Sequence, residues 1–213
     1  MTMMRSKESQ RGMTIVEALV VASVVSLLAA IAGIMVSRFT VSRTINDLTR
    51  NISSTLQMAK LKSARDGVEY RVIFSRCNDI DDTDPNCNFC NNYIDFAAGH
   101  ENLTITLERG NSNRGSDKWC IESSQTKKMS GNFNLNLTDM AETGPYRSGF
   151  GPKGFMVDQN GEPVVNTVSM LVTPAATSRV SACGIVELSP SLGRINVVRG
   201  NWDGAACNPI REP

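Results

Sequence analysis

Twenty consecutive residues, Ala18 to Ser37, carry no charge and are mostly apolar. Wound as a helix, such a run is roughly 30 Å long, the thickness of a bilayer's hydrocarbon core. From Val41 the pattern changes. Val41, Ile45, Leu48, Ile52, Leu56, Ala59 and Ser63 recur every three or four positions, so they share one face of a helix. Arg43, Arg50 and Arg65 fall on the opposite side. No proline precedes Pro85, and Asp66-Gly67 supplies a stop, glycine being suited to a left-handed cap. The pattern predicts one continuous helix over about 14–66, roughly 80 Å long. Its first half is apolar all round, and its second half bears one apolar stripe.

After Gly67 the period switches to two. Val68, Tyr70, Val72 and Phe74 alternate with Glu69, Arg71 and Ile73, as in a half-buried strand. Leu103-Ile105-Leu107, Phe133-Leu135-Leu137 and Val168-Met170-Val172 alternate likewise, and Cys183–Leu188 and Arg194–Val198 read as two further strands. Glycine and proline clusters at 144–154, with Asn160-Gly161, mark turns. The expected fold class is α+β: one long N-terminal helix packed on an antiparallel, β-rich head of residues 67–213. The run of four aspartates at 79–84 reads as an acidic loop.

Charge divides the chain in the same place. Residues 1–65 hold nine Lys/Arg and three acids, a net of +6, whereas residues 66–213 hold thirteen and eighteen, a net of −5. The overall balance of +1 excludes a nucleic-acid coat at whole-chain level, and 41% hydrophobic content excludes a disordered acidic chain. The single histidine, His100, stands in a loop flanked by glycine and glutamate. No nucleophile elbow, phosphate loop or paired metal motif is visible, so no enzymatic activity and no cofactor are expected.

The apolar run follows a polar leader, Met1 to Gly12, bearing Arg5, Lys7 and Arg11 against Glu8. Positive charge there favours a cytoplasmic N-terminus, which leaves the head outside the cytoplasm, where cysteines oxidise. Glu17 is the anomaly. A carboxylate at the mouth of an apolar run is costly without a partner, which makes it a functional candidate; the alternative is that it snorkels to the headgroups. An ordinary secretory signal cut after Ala30-Ile31-Ala32, before Gly33, and a plain signal anchor are competing readings of the same segment.

Arg11-Gly12-Met13-Thr14-Ile15-Val16-Glu17-Ala18-Leu19-Val20 resembles the class III signal sequence of type IV pilins and type II secretion pseudopilins. In that family a prepilin peptidase cuts after the glycine and N-methylates the new first residue, and the helix stays attached. The resemblance implies that residues 1–12 are a removed leader. It makes Gly12 the cleavage-site glycine and Met13 the methylated N-terminus, a position more often occupied by Phe. Residues 13–37 become the transmembrane and assembly half of the helix, and 38–66 its amphipathic half. Glu17 becomes the acid that guides assembly by meeting the new amine of a neighbouring subunit. Unlike many major pilins, the chain has no proline in its apolar half; Gly33 is the soft point there.

Within that class, Leu56–Arg65 with the Val68–Phe74 strand, Phe150-Gly151-Pro152-Lys153-Gly154-Phe155, and Cys183–Ile195 with its Gly193-Arg194 are similar to the GspH/FimT branch. The stretch 75–131 has no counterpart in that likeness. The resemblance implies a minor type IV pilin that initiates or caps pilus assembly, with a GspH-like pseudopilin or a fibre-displayed DNA- or surface-binding minor pilin as alternatives. The implied partners are other pilins through the N-terminal helix, the prepilin peptidase and the inner-membrane assembly platform. The implied location is the inner membrane with a periplasmic head, then the fibre. Some branch members bind DNA through Gly-Arg-x-Arg. Here Gly193-Arg194-Ile195-Asn196 lacks the second arginine, Arg199 and Arg211 lie nearby, and the head's net −5 argues against phosphate binding.

Cys77, Cys87, Cys90, Cys120, Cys183 and Cys207 are an even set, as a disulfide framework requires. Cys183 and Cys207 bracket the last hairpin and tail and are expected to pair. The other four would then staple the 77–120 region, with a four-sulfur zinc site or a redox-active Cys87-x-x-Cys90 as alternatives. Asp82, Asp84 and Asn86 fit the start of a calcium loop, but Cys87 stands where that loop needs glycine and Tyr93 where it needs glutamate.

Overall fold

The computed structural model of the chain describes residues 14–84, 87–94, 102–128, 133–138, 147–158, 160–174, 181–190 and 193–210. Gly12, Met13, Asn86, His100 and Arg211 lie outside the described residues. Helix α1 runs over Ile15–Asp66, as the continuous apolar-then-striped pattern predicts. The chain divides into two compact units, Met1–Thr40 and Val41–Pro213.

In the second unit the predicted stripe of α1 is the one that is buried. Ile45, Leu48, Ile52, Leu56 and Ala59 form one cluster with Tyr70, Val72 and Phe74 and with residues of the later strands. Burying each such aliphatic side chain contributes about 1.5–3 kcal/mol, which outweighs the indifferent helix propensity of the Thr, Ser and Asn between them. The helix ends where the sequence supplies a stop. Gly67 takes a left-handed φ of 69°, and its N–H reaches the Ser63 carbonyl at 3.1 Å, the single closing bond of a left-handed cap.

Twelve strands follow among the described residues: β1 (Tyr70–Ile73), β2 (Arg76–Asp84), β3 (Cys87–Ile94), β4 (Asn102–Gly110), β5 (Trp119–Lys128), β6 (Phe133–Thr138), β7 (Arg147–Phe150), β8 (Met156–Val157), β9 (Val168–Pro174), β10 (Ala182–Ser189), β11 (Arg194–Trp202) and β12 (Cys207–Pro209). They make two sheets. The larger is ordered β2-β3-β5-β4-β1-β7-β8 and the smaller β12-β11-β10-β9-β6. All the strand pairs are antiparallel. The class is α+β with an N-terminal helix.

Two expectations change. The aspartate run is not a loop: Asp79, Asp81, Asp82 and Asp84 lie on β2, the outer strand of the larger sheet. Pairing with β3 holds it extended, and charge on an edge strand blocks unwanted pairing with other chains. Strand β1 also departs from its alternation. Ile73 and Glu69, both expected on the outer face, are buried. On the face they share, Arg71 stacks on the Trp119 ring and its Nε donates to buried Glu108, so β1 is covered on that side as well as on the core side. The Glu69 carboxylate accepts backbone N–H groups from Gly115 and Ser116, which fixes the loop between β4 and β5.

Candidate functional site

The start of α1 is built locally. The Glu17 N–H donates to Thr14 Oγ1 at 3.2 Å, and the Ala18 N–H donates to the Thr14 carbonyl at 3.1 Å. Thr14 is therefore the N-cap and Glu17 the third helical residue, the Thr-x-x-Glu spacing of a capping box. A carboxylate in the first turn also complements the helix dipole. That spacing is present in the sequence, where Glu17 attracts notice as an isolated acid and its local partner is easily missed.

From Ile15 to Gly33 the helix is long and apolar enough to cross a membrane, and none of this segment is buried within the chain. Its two hydroxyls are satisfied internally. Ser23 donates to the Val20 carbonyl and Ser26 to the Ala22 carbonyl, each at 2.8 Å, so neither demands water in an apolar medium. Glu17 is the only charged side chain in this stretch.

At the other end of α1, charge is concentrated. Lys62 pairs with Glu122 of β5, and Arg65 grips Asp66 at 2.6 and 3.0 Å. The Tyr70 hydroxyl lies 2.7 Å from Asp66 Oδ2 and 2.6 Å from Glu122 Oε1. The Arg65 guanidinium and then the Tyr70 hydroxyl hold the Asp66 carboxyl well below the usual carboxylate range. Burial pushes Glu122 up, but the bonds from Lys62 and Tyr70 outweigh it and leave its pKa lowered. Burial, then Glu122 and Asp66, push the Tyr70 phenol well above its ordinary value. This cluster ties the end of the helix to the larger sheet.

The two turns quoted for the branch resemblance come together over the helix. Gly154 (φ 74°) and Gly193 (φ 53°) both require the left-handed region. A Cβ on Gly193 would lie 2.1 Å from the Gly154 carbonyl oxygen, and one on Gly154 3.1 Å from Lys60 Cε. Lys60 Nζ donates to the Gly193 carbonyl at 3.0 Å. Arg194, next in sequence, is exposed, as is Arg199.

The six cysteines form Cys77–Cys90, Cys87–Cys120 and Cys183–Cys207. Cys87 and Cys90 thus go to different partners, which consumes the sulfurs that a zinc site or a Cys-x-x-Cys redox pair would need. Asp82 and Asp84 stand on β2, and among the described residues no three His, Cys, Asp or Glu side chains group to hold a metal. No family model, no curated protein and no solved structure matches the chain.

Proposed function

We propose that this chain is a minor type IV pilin, a structural subunit that a prepilin peptidase cuts after Gly12 and N-methylates at Met13. The single observation that carries the reading is the start of α1: a capped, unbroken, wholly exposed apolar segment whose one charge, Glu17, sits in its first turn. An exposed apolar surface of this size needs lipid or the helices of other subunits to cover it. In the bilayer it anchors the protein, with the disulfide-bonded head in the periplasm. In a fibre core it packs against neighbouring helices. There Glu17 meets the free amine of an adjacent subunit, an arrangement favoured over two unpaired charges in a low dielectric. The role is to initiate or cap assembly, and it is not catalytic.

Intact-mass measurement of the protein purified from membranes tests the reading. The expected product lacks residues 1–12 and carries one added methyl on Met13. A product that begins at Gly33, or one that keeps its leader, overturns it.

A further inference from the structure

Strands β2 and β3 are joined to the rest of the larger sheet by very little. Their ladder to β5 is a single pair, Phe89 opposite Cys120, whereas β4 and β5 pair all the way from Asn102↔Lys128 to Gly110↔Trp119. Among the described residues, none on β2 or β3 is buried and none belongs to the core cluster. Their own ladder is interrupted by register shifts between Cys77 and Asp79, Asp79 and Ile80, and Asp81 and Asp84. Asp79, Asp81, Asp82 and Asp84 crowd like charge onto β2, and aspartate is disfavoured in strands in any case. A two-stranded ribbon without a covered apolar face is marginal by itself. Covalent bonds stand where burial is missing. Cys77–Cys90 lies within the ribbon, and Cys87–Cys120 is the bond that crosses to β5. Cys87 and Cys120 are both half-buried, whereas Cys183 of the third disulfide is 1% exposed.

We propose that Cys87–Cys120 is a redox latch. Closed, it holds the β2–β3 ribbon on β5; opened by a dithiol reductant, it lets the ribbon leave the sheet while the helix–sheet core stays folded. In opening, the S–S bond takes two electrons and two protons from the dithiol, which gives the Cys87 and Cys120 thiols and leaves the dithiol as a disulfide. The one backbone pair that remains, Phe89 with Cys120, is too small a contact to hold a ribbon that buries no residue. The core does not depend on the latch. β1 keeps its ladders to β4 and β7, β4 keeps its ladder to β5, and the buried stripe of α1 keeps its contacts. Cys77–Cys90 travels with the ribbon. Release therefore presents an acidic arm, cross-linked within itself, that the oxidised protein keeps against the sheet. Half-buried Cys87 and Cys120 are open to a reductant that buried Cys183 resists, so the latch opens before Cys183–Cys207.

The test follows the full chain in detergent micelles by hydrogen exchange read by mass. In Cys87→Ser/Cys120→Ser, the amides of 76–94 are expected to exchange at least about tenfold faster than in wild type, while those of β1, β4, β9 and β10 keep their rates. Cys77→Ser/Cys90→Ser leaves the latch in place and is expected to change the ribbon's rates less. Wild type treated with dithiothreitol is expected to reproduce the first pattern while Cys183 and Cys207 still escape alkylation by iodoacetamide. Ribbon rates in Cys87→Ser/Cys120→Ser equal to those of wild type overturn the proposal. So does a Cys77→Ser/Cys90→Ser variant that loosens the ribbon as much, and so does alkylation of Cys183 and Cys207 ahead of Cys87 and Cys120. Should Cys87→Ser/Cys120→Ser lose protection throughout, the reduced wild type decides. Protection lost in β4 and β9 there too overturns the proposal, and protection kept there supports it.

Discussion

The Glu69 carboxylate takes the Ser116 N–H at 2.7 Å with one oxygen and the Gly115 N–H at 2.9 Å with the other. Glu69 is 1% exposed, and among the described residues these bonds are what compensates its removal from water. Gly161 is pressed against the same carboxylate, where a Cβ would come within 2.5 Å of Oε1. Replacing Glu69 by Gln sets an amide N–H against a backbone N–H, and about 1–3 kcal/mol of stability should be lost. Urea unfolding reads the loss, and hydrogen exchange should quicken first at Gly115 and Ser116.

The meeting of Gly154 and Gly193 is less tolerant. Gly193→Ala drives a Cβ into a backbone oxygen at a left-handed φ, so neither partner can move aside cheaply. A destabilisation of about 2–4 kcal/mol is expected, from strain and overpacking together. Lys60→Met keeps the side-chain stem and loses the bond to the Gly193 carbonyl, so it should cost about 1 kcal/mol. If thermal unfolding ranks the two variants the other way, the junction has been misread.

The cluster at the end of α1 makes stability depend on pH at both extremes. Asp66 and Glu122 have lowered pKa values in the fold. Their contribution is therefore complete above the unfolded carboxylate range, near pH 4, and fades as pH falls through the folded values. Tyr70 is raised, so its contribution is complete below about pH 10 and fades only as pH climbs towards its folded value. Urea midpoints should form a plateau between these limits. Tyr70→Phe should flatten the alkaline fall and lower the plateau, and in wild type one tyrosine should resist phenolate formation until the chain unfolds.

Glu17 has two physical explanations, and substitution separates them. In a capping box the side chain of the third helical residue acts through a hydrogen bond back to the N-cap N–H, which Gln can reproduce. As an assembly residue Glu17 acts through charge, which Gln cannot. Glu17→Gln should leave leader cleavage and helix content unchanged while reducing recovery of the protein in sheared fibres by at least about tenfold. Thr14→Ala, which removes the cap and keeps the charge, should still be incorporated. Normal incorporation of Glu17→Gln leaves the carboxylate with a capping role alone.

Much of the helix was legible because periodicity and burial coincide in it: Ile45, Leu48, Ile52, Leu56, Ala59 and Ser63 are buried, as their spacing predicts. β9 and β10, which alternate apolar with polar, were legible for the same reason, and β4 showed itself through Leu103, Ile105 and Leu107 although Thr104, Thr106 and Glu108, which alternate with them, are buried as well. β2 was not legible. An edge strand of aspartates has no apolar alternation to detect, and what makes it a strand is its pairing to β3 across a disulfide. Glu69 and Ile73 lie on the face that alternation gives them, but that face is covered, whereas alternation alone expects it to be wet. The approach of Gly154 to Gly193, and of Tyr70 to Glu122, joins residues far apart in sequence and left no local trace.

Cys77–Cys90 and Cys87–Cys120 interleave along the chain rather than nest. Both bonds converge on β3, which carries Cys87 and Cys90, so a Cys87–Cys90 bond formed early would leave Cys77 and Cys120 without partners and would have to undergo thiol–disulfide exchange before the observed pairs could form.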